Sequence, residues 1–214
     1  MGILNDLFEY WPRLVEGLCI SIQLALLAYV IGIPGGLVFA VATMARSKLI
    51  RTTAVVLVEI GRGVPALVVL QIIYFGLPIN LGGFLAAGIA FGLTTSAYTS
   101  EIIRGGLQAV PKGELEAAQA LGMKYATTLR DVIVPQGMRI ALPALVSFCV
   151  LMFQATTLAF TIAVPELMAI TRSISSQTFQ FFNMFVIAGL MYGVITISAS
   201  LAVERLERRL AKHV

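Results

Sequence analysis

The chain has 214 residues, of which 58% are hydrophobic and only 12% charged, and its formal net charge is +4. Soluble domains carry charge on about a quarter of their residues, so this composition, with a mean hydropathy of +0.92, excludes a water-soluble globule; it leaves room for about five bilayer crossings of roughly 20 residues each and for no sizeable soluble domain. The basic residues stand at the ends of apolar blocks rather than on one face, which argues against a nucleic-acid surface. The two cysteines, Cys19 and Cys149, fall inside apolar runs without metal-ligand spacing and read as small buried hydrophobes.

Before the first block, Asp6, Glu9 and Glu16 stand where a cleavable signal would carry basic residues, and Tyr10 and Trp11 suit an interfacial aromatic belt. The first block runs from about Gly17 to Ala45 and contains Ile33-Pro34-Gly35-Gly36, which predicts a kink in a long tilted helix. The second spans about Thr53 to Leu77 and the third about Gly82 to Ile103. A polar stretch from Arg104 to about Arg139 separates these from a fourth block, about Ile140 to Val164, and a fifth, about Phe182 to Val203. Between the last two, Pro165 to Asn183 reads as an outer loop, of which Ile174 to Phe182 is either functional or a plain connector. Beyond Val203, apolar residues at helical spacing and a Glu204 to Arg208 pair continue the fifth helix inward, and His213 stands solvated in a basic tail.

Charge sets the orientation. With the N-terminus outside, Arg46, Lys48, Arg51, Arg104, Lys112, Lys124, Arg130, Arg139, Arg205, Arg208, Arg209 and Lys212 are all cytoplasmic. Only Arg13 and Arg172 then lie outside, with Arg62 inside the membrane. The expected architecture is an all-α membrane protein, one domain over residues 1–214, with five transmembrane helices, N-terminus out and C-terminus in.

That orientation puts the segment of about 111–135 in the cytoplasm. Pro111 breaks the chain after the third span, and Glu114 and Glu116 open a short helix where negative charge suits the helix dipole. Ala117 and Ala118 keep its exposed side narrow, Ala120 and Leu121 complete the turn, Gly122 lets the backbone reverse, and Pro135 predicts a second break before the fourth span. Such a helix suits docking into a groove of another protein, whereas the plainer reading is an amphipathic helix lying on the bilayer.

These residues resemble the permease subunits of ABC importers, in the polar amino acid group related to the histidine, glutamine, arginine and glutamate systems. Glu116-Ala117-Ala118 and Gly122 match the family's EAA loop in register, with Val132, Val134 and Pro135 standing for its Ile-x-Leu-Pro. The run Ala97-Tyr98-Thr99-Ser100-Glu101-Ile102-Ile103-Arg104-Gly105-Gly106 and the box Glu59-Ile60-Gly61-Arg62-Gly63-Val64-Pro65 are similar to the amino acid branch, Val64 replacing its Thr, and the likeness continues through Val164-Pro165-Glu166-Leu167 and Leu206-Glu207-Arg208-Arg209. Gln154-Ala155-Thr156-Thr157-Leu158 departs from a Lys-Asp/Asn-Thr/Ser-Ser-Leu stretch common in relatives and predicts a less charged pathway there.

The resemblance implies a type I importer fold in the bacterial inner membrane. It implies two permease chains, identical or homologous, two ATPase subunits that bind ATP and Mg beneath them, and an extracellular or periplasmic amino acid-binding protein. The loop helix, with Glu114, Glu116, Ala117, Ala118, Ala120, Leu121 and Gly122, would couple the permease to the ATPase. This chain has no Gly-x-x-x-x-Gly-Lys-Ser/Thr phosphate loop, so no nucleotide or other cofactor is expected on it, and it is not an enzyme alone.

Residues within the spans are candidates to meet a substrate. Counted from Thr53 along a straight helix, Arg62 lies about 14 Å deep, near the midplane, where an arginine costs about 2.5 to 3.5 kcal/mol. Glu59, one turn earlier, is its obvious partner, and Arg62 either forms a structural pair with it or faces the pathway and meets a substrate carboxylate. Glu101 and Arg104 repeat the pattern and read as solvated at the membrane boundary. Thr95, Tyr98, Gln154, Thr156 and Thr157 supply hydrogen-bonding side chains, although Ser and Thr in membrane helices also bond their own backbone. A rival class, an ion-coupled transporter or channel, would use Glu59 and Arg62 as its coupling site.

Overall fold

The computed structural model describes residues 3–79 and 81–210, all of whose regular elements are helical. The chain forms α1 (Ile3–Thr43), α2 (Lys48–Gly63), α3 (Ala66–Gly76), α4 (Gly83–Gln108), α5 (Lys112–Ala120), α6 (Tyr125–Thr128), a π-helical turn (Leu129–Ile133), α7 (Val134–Ala155), a 3₁₀ segment (Thr156–Ile162), α8 (Leu167–Thr178) and α9 (Phe181–Leu210).

Helix α1 starts well before Gly17 and runs 41 residues, about 60 Å at 1.5 Å per residue, with Pro12 and Pro34 inside it. Its Ile33–Gly36 stretch stays helical, and the glycines there serve contact with α4. A Cβ on Gly32 would collide with Thr95, one on Gly35 with Ser96 and one on Gly36 with Thr99. From the other side, Gly88 and Gly92 of α4 admit Leu27 and Ile31 of α1. Small residues let two backbones approach closely where apolar burial alone gives helices in lipid no reason to associate.

The second expected span is broken. Pro65 forces Val64 into extended backbone (φ −87°, ψ 126°), α2 ends at Gly63, and α3 leaves at 98° to it. Arg62 therefore sits in the last turn of a short helix and not midway along a straight one. The reverse correction applies at Pro135. The chain does not break there: a π turn over Leu129–Ile133, directly before Pro135 at the start of α7, joins α6 to α7. A single run from Tyr125 to Ile162 results, starting before Ile140. The stretch 165–183, expected as an outer loop, is largely helical: Ile174 lies in α8 and Phe182 in α9.

Three helical runs among the described residues are long and apolar enough to cross a membrane, Asn5–Thr43, Tyr125–Ile162 and Phe181–Arg205, and the bent α2–α3 pair makes a fourth if it counts as one span. Helix α4 is not among them, although it is 26 residues long. The reason is its place in the fold. It is wrapped by α1, α2, α3 and α7 and buries Thr94, Thr95, Ser96, Thr99 and Ser100 beside Ala86, Ala90 and Phe91. A helix covered by protein has no need of a lipid-like surface.

Three apolar clusters fill the bundle. One joins Leu24 and Ala28 of α1 to Leu70, Phe91, Met152 and Ile162; a second joins Leu14 to Leu167, Ile174, Met184 and Ile187; a third joins Ala40 to Ile103, Leu107, Ala141 and Leu145. Tyr10 packs against the second, while Trp11 is exposed. Cys149 is half-buried and Cys19 is exposed on the outer side of α1, contrary to the expectation that both are buried. Helix α9 continues past Val203 as expected; the side chain of Arg208 and all of His213 lie outside the described residues.

Candidate functional site

Pro111 caps the start of α5, and Glu114 lies in its first turn. Gly122 takes φ +71°, a left-handed conformation open to glycine at no steric cost, and its amide donates to the Gln119 carbonyl while that of Met123 donates to Ala118. This turn ends α5 and reverses the chain as the spacing predicts. Glu114, Glu116, Ala117, Ala120 and Leu121 are exposed, Leu121 by 80%. Ala118 is buried, because consecutive residues on an α-helix point about 100° apart and Ala117 takes the exposed side. The segment is tied down twice by side chains. The Gln136 amide at the base of α7 donates to Glu114 at 3.1 Å, and the Arg46 guanidinium, in the turn between α1 and α2, lies over the Tyr125 ring, 4.7 Å from its centroid.

A second constellation forms where α2 ends against α4. Arg62 approaches Glu59 at 3.5 Å and Glu101 at 3.7 Å, and Glu101 takes Arg104 at 2.6 Å. The two Glu-x-x-Arg motifs thus join into one alternating chain of four charges, and Arg104 also donates to Gln108. Glu101 and Arg104, expected to be solvated, are partly buried in this network. Tyr98 completes it: its hydroxyl donates to the Arg62 carbonyl at 3.1 Å, serving an oxygen freed by the α2–α3 break, and its ring stacks on Phe148 of α7.

The remaining candidates divide. Thr95 and Thr156 have no exposed surface. Thr95 fills the α1–α4 seam at Gly32, and Thr156 donates to the Phe153 carbonyl three residues back in its own segment, so both are enclosed within this chain. Gln154 is exposed and Thr157 half-buried, where α7 tightens into 3₁₀ geometry, and Thr157 donates to the Gln154 carbonyl. Gln71 of α3 donates to Thr161 in the same 3₁₀ segment at 3.0 Å, a pairing across 90 residues of sequence that periodicity could not reveal.

Sequence reasoning passed over the role of Glu166. It has no exposed surface, caps α8 through the amides of Met168 (2.9 Å) and Ala169 (2.8 Å), and accepts from Tyr192 of α9 (3.0 Å) and Ser21 of α1 (3.3 Å). It stands between the apolar runs, outside both Tyr125–Ile162 and Phe181–Arg205. Burial pushes its carboxyl above the usual carboxylate range, while those amides and hydroxyls pull it back. A capping acid directly before an apolar helix was the available signal.

Residues 32–212 match the sequence profile of the family described as binding-protein-dependent transport system inner membrane component. The chain is 35% identical to the probable amino-acid ABC transporter permease protein YckA of Bacillus subtilis (strain 168), over 96% of this chain and 92% of that one. It is 35% identical to the histidine/lysine/arginine/ornithine transport system permease protein HisM of Escherichia coli (strain K12), over 99% and 98%. Among solved structures it is similar to a chain of an amino acid ABC transporter crystallised with histidines, at 35% identity and a TM-score of 0.89, covering 98% of this chain and 99% of that one.

Proposed function

Since this chain belongs to the family of binding-protein-dependent transport system inner membrane components, we propose that it is the permease subunit of an ATP-binding-cassette importer that carries a polar or charged amino acid across the bacterial plasma membrane. The likeness to the amino acid transporter of known structure, across nearly the whole of both chains, carries this reading. The chain is a transporter subunit and not an enzyme; ATP hydrolysis, with ATP and Mg, belongs to a separate ATPase present in two copies. A second permease chain, identical or homologous, completes the pathway, and an extracellular or periplasmic binding protein delivers the amino acid.

In this reading the protein crosses the bilayer five times, with α1, the bent α2–α3 pair, α4, the α6–α7 run and α9, its N-terminus outside and C-terminus inside. Helix α5 then meets the ATPase through Glu114, Glu116, Ala117, Ala120 and Leu121, with Ala118 seating it on the bundle and Gly122 ending it. The exposed placement of these residues supports that role. Glu59, Arg62, Tyr98, Gln154 and Thr157 border the pathway, and the two partners of Arg62 favour a structural charge network over a bare cation awaiting a carboxylate.

The test is uptake of labelled histidine or arginine into vesicles holding the permease, its ATPase and binding protein. Uptake is expected to require ATP and the ATPase chain and to survive a protonophore. Uptake that runs on a proton gradient without ATP would overturn the reading in favour of an ion-coupled carrier.

A further inference from the structure

Helix α7 carries a stripe that the bundle leaves uncovered. Ile140, Ala144, Ser147, Leu151 and Gln154 are all exposed, Leu151 by 62%, and they follow one another at alternating steps of four and three residues. That is the 3.5-residue repeat of helices that pack along their length. Two kinds of side chain set the stripe apart from the other exposed faces of the long runs. Ala144 and Ser147 are small, which lets a second backbone approach, and the Ser147 hydroxyl and Gln154 amide have no hydrogen-bond partner among the described residues. By contrast, the exposed Leu26, Val30 and Val38 of α1 and Leu190 and Val194 of α9 are apolar, and the hydroxyls of Tyr192 and Thr196 of α9 bond within the chain. Lipid tails offer no hydrogen bond, so an unpartnered amide inside the membrane requires protein or water beside it.

A groove of about 600 Å³ lies beside the stripe, lined by Ser147, Leu151 and Gln154 of α7 and by Ser200, Leu201 and Glu204 of α9. Ser200 is also without a partner among the described residues; Ser198 is too, but stands outside the groove. We propose that this groove receives α7 of a second copy of this chain, so that the two α7 stripes form the seam of a permease pair. The proposal rests on the function given above. Two copies inserted in the same orientation are related by an axis along the membrane normal, so each level of α7 meets its own level. Ser147 then faces the partner's Ser147 and Gln154 the partner's Gln154. An amide both donates and accepts, so a second Gln154 satisfies the first, closing the seam at its outer end beside the pathway that runs between the two chains. Charge agrees at the cytoplasmic end. Phe153 of α7 lies against Tyr192 of α9, ring centroids 5.4 Å apart, which sets the register of the two helices. Fourteen residues inward from Phe153 stands the exposed Arg139, and twelve inward from Tyr192 stands Glu204, so the two share a depth to within about 3 Å. A second α7 seated in the groove brings the partner's Arg139 to Glu204.

The test uses the assembled transporter, with ATPase and binding protein in vesicles, in a background where Cys19 and Cys149 are replaced by serine. Ser147→Cys and Gln154→Cys, each treated with an oxidant, should give disulfide-linked pairs of this chain; Val30→Cys and Val194→Cys should give none. In detergent, the permease pair of Gln154→Leu, which keeps the bulk and removes the amide, should dissociate about three- to tenfold more readily than wild type, the range of an interhelical hydrogen bond in a membrane protein. Should Gln154→Cys fail to assemble, Ser147→Cys decides alone. Links at Val30→Cys or Val194→Cys with none in the stripe, links to a different permease chain, or wild-type dissociation in Gln154→Leu overturns the seam. So does a stripe that stays unlinked while Ser147→Cys and Gln154→Cys react with a water-soluble thiol reagent, which would assign that face to the open pathway. A wild-type complex without ATP-dependent uptake defeats the functional reading and takes the pair with it, whereas ATP-dependent uptake without links in the stripe defeats the seam alone.

Discussion

At the scale of single residues, Glu166 is a fully buried carboxylate that bonds three helices. Its folded pKa is raised, chiefly by burial. A raised acid contributes stability that is present below its unfolded pKa and is lost as pH rises through its folded value, so stability declines with rising pH from the ordinary carboxylate range of about pH 4 upward. Thermal unfolding of the detergent-solubilised protein at a series of pH values is expected to show that decline in the wild type and a flatter profile in Glu166→Gln, which keeps the shape without the ionisable proton. An equal slope in both would show that the decline belongs to other groups. Glu101 makes the complementary case. It is shared by two arginines and remains partly exposed, which places its worth between that of surface pairs and fully buried ones.

Between elements, the decisive contact is the α1–α4 seam. Gly36 faces Thr99 so closely that an added methyl group must displace it, and Thr99 is itself fixed by bonds to the Thr95 and Gly32 carbonyls. Gly36→Ala should therefore cost about 1–3 kcal/mol, the usual range for overpacking, seen as a lower Tm of the purified protein. Adding Thr99→Ala empties the space the methyl group needs and should restore part of the loss; no restoration would mean that the seam is not the source. The sequence shows Ile33-Pro34-Gly35-Gly36 plainly and suggests a kink, but it does not show the close contact with α4, because local rules describe what a glycine permits its own backbone and not which neighbour approaches it. The bend at Val64-Pro65 was overlooked for the opposite reason: apolar content is continuous across it, and hydropathy does not see direction. The helical type and approximate places of the apolar blocks were legible from hydropathy, but not where α1 and the α6–α7 run begin. The joining of Glu59, Arg62, Glu101 and Arg104 was not, since the bend is what swings the end of α2 against α4.

For the molecule as a whole, the orientation yields the clearest expectation. With Cys19 and Cys149 replaced, single cysteines at Ser47 and at Phe179 should label from opposite sides of the membrane, Ser47 from the cytoplasm and Phe179 from outside. Both positions are exposed at helix turns, so labelling reports sidedness and not burial. Labelling of both from one side would remove the cytoplasmic placement of α5. The candidate pathway was only partly readable for the same global reason: Thr95 and Tyr98 sit within a turn of each other on α4, and only the surrounding helices decide that one is sealed and the other open.

The polarity of α4 bears on how the protein is made. A segment studded with hydroxyls gains too little by leaving water to partition into lipid on its own when it emerges from the ribosome. Helix α1, synthesised earlier and with Gly32, Gly35 and Gly36 ready to receive its hydroxyl side chains, offers the surface that α4 lacks. In the five-span reading proposed above, insertion would then be templated: α1, made first, is already present when the helix least able to enter lipid alone follows it.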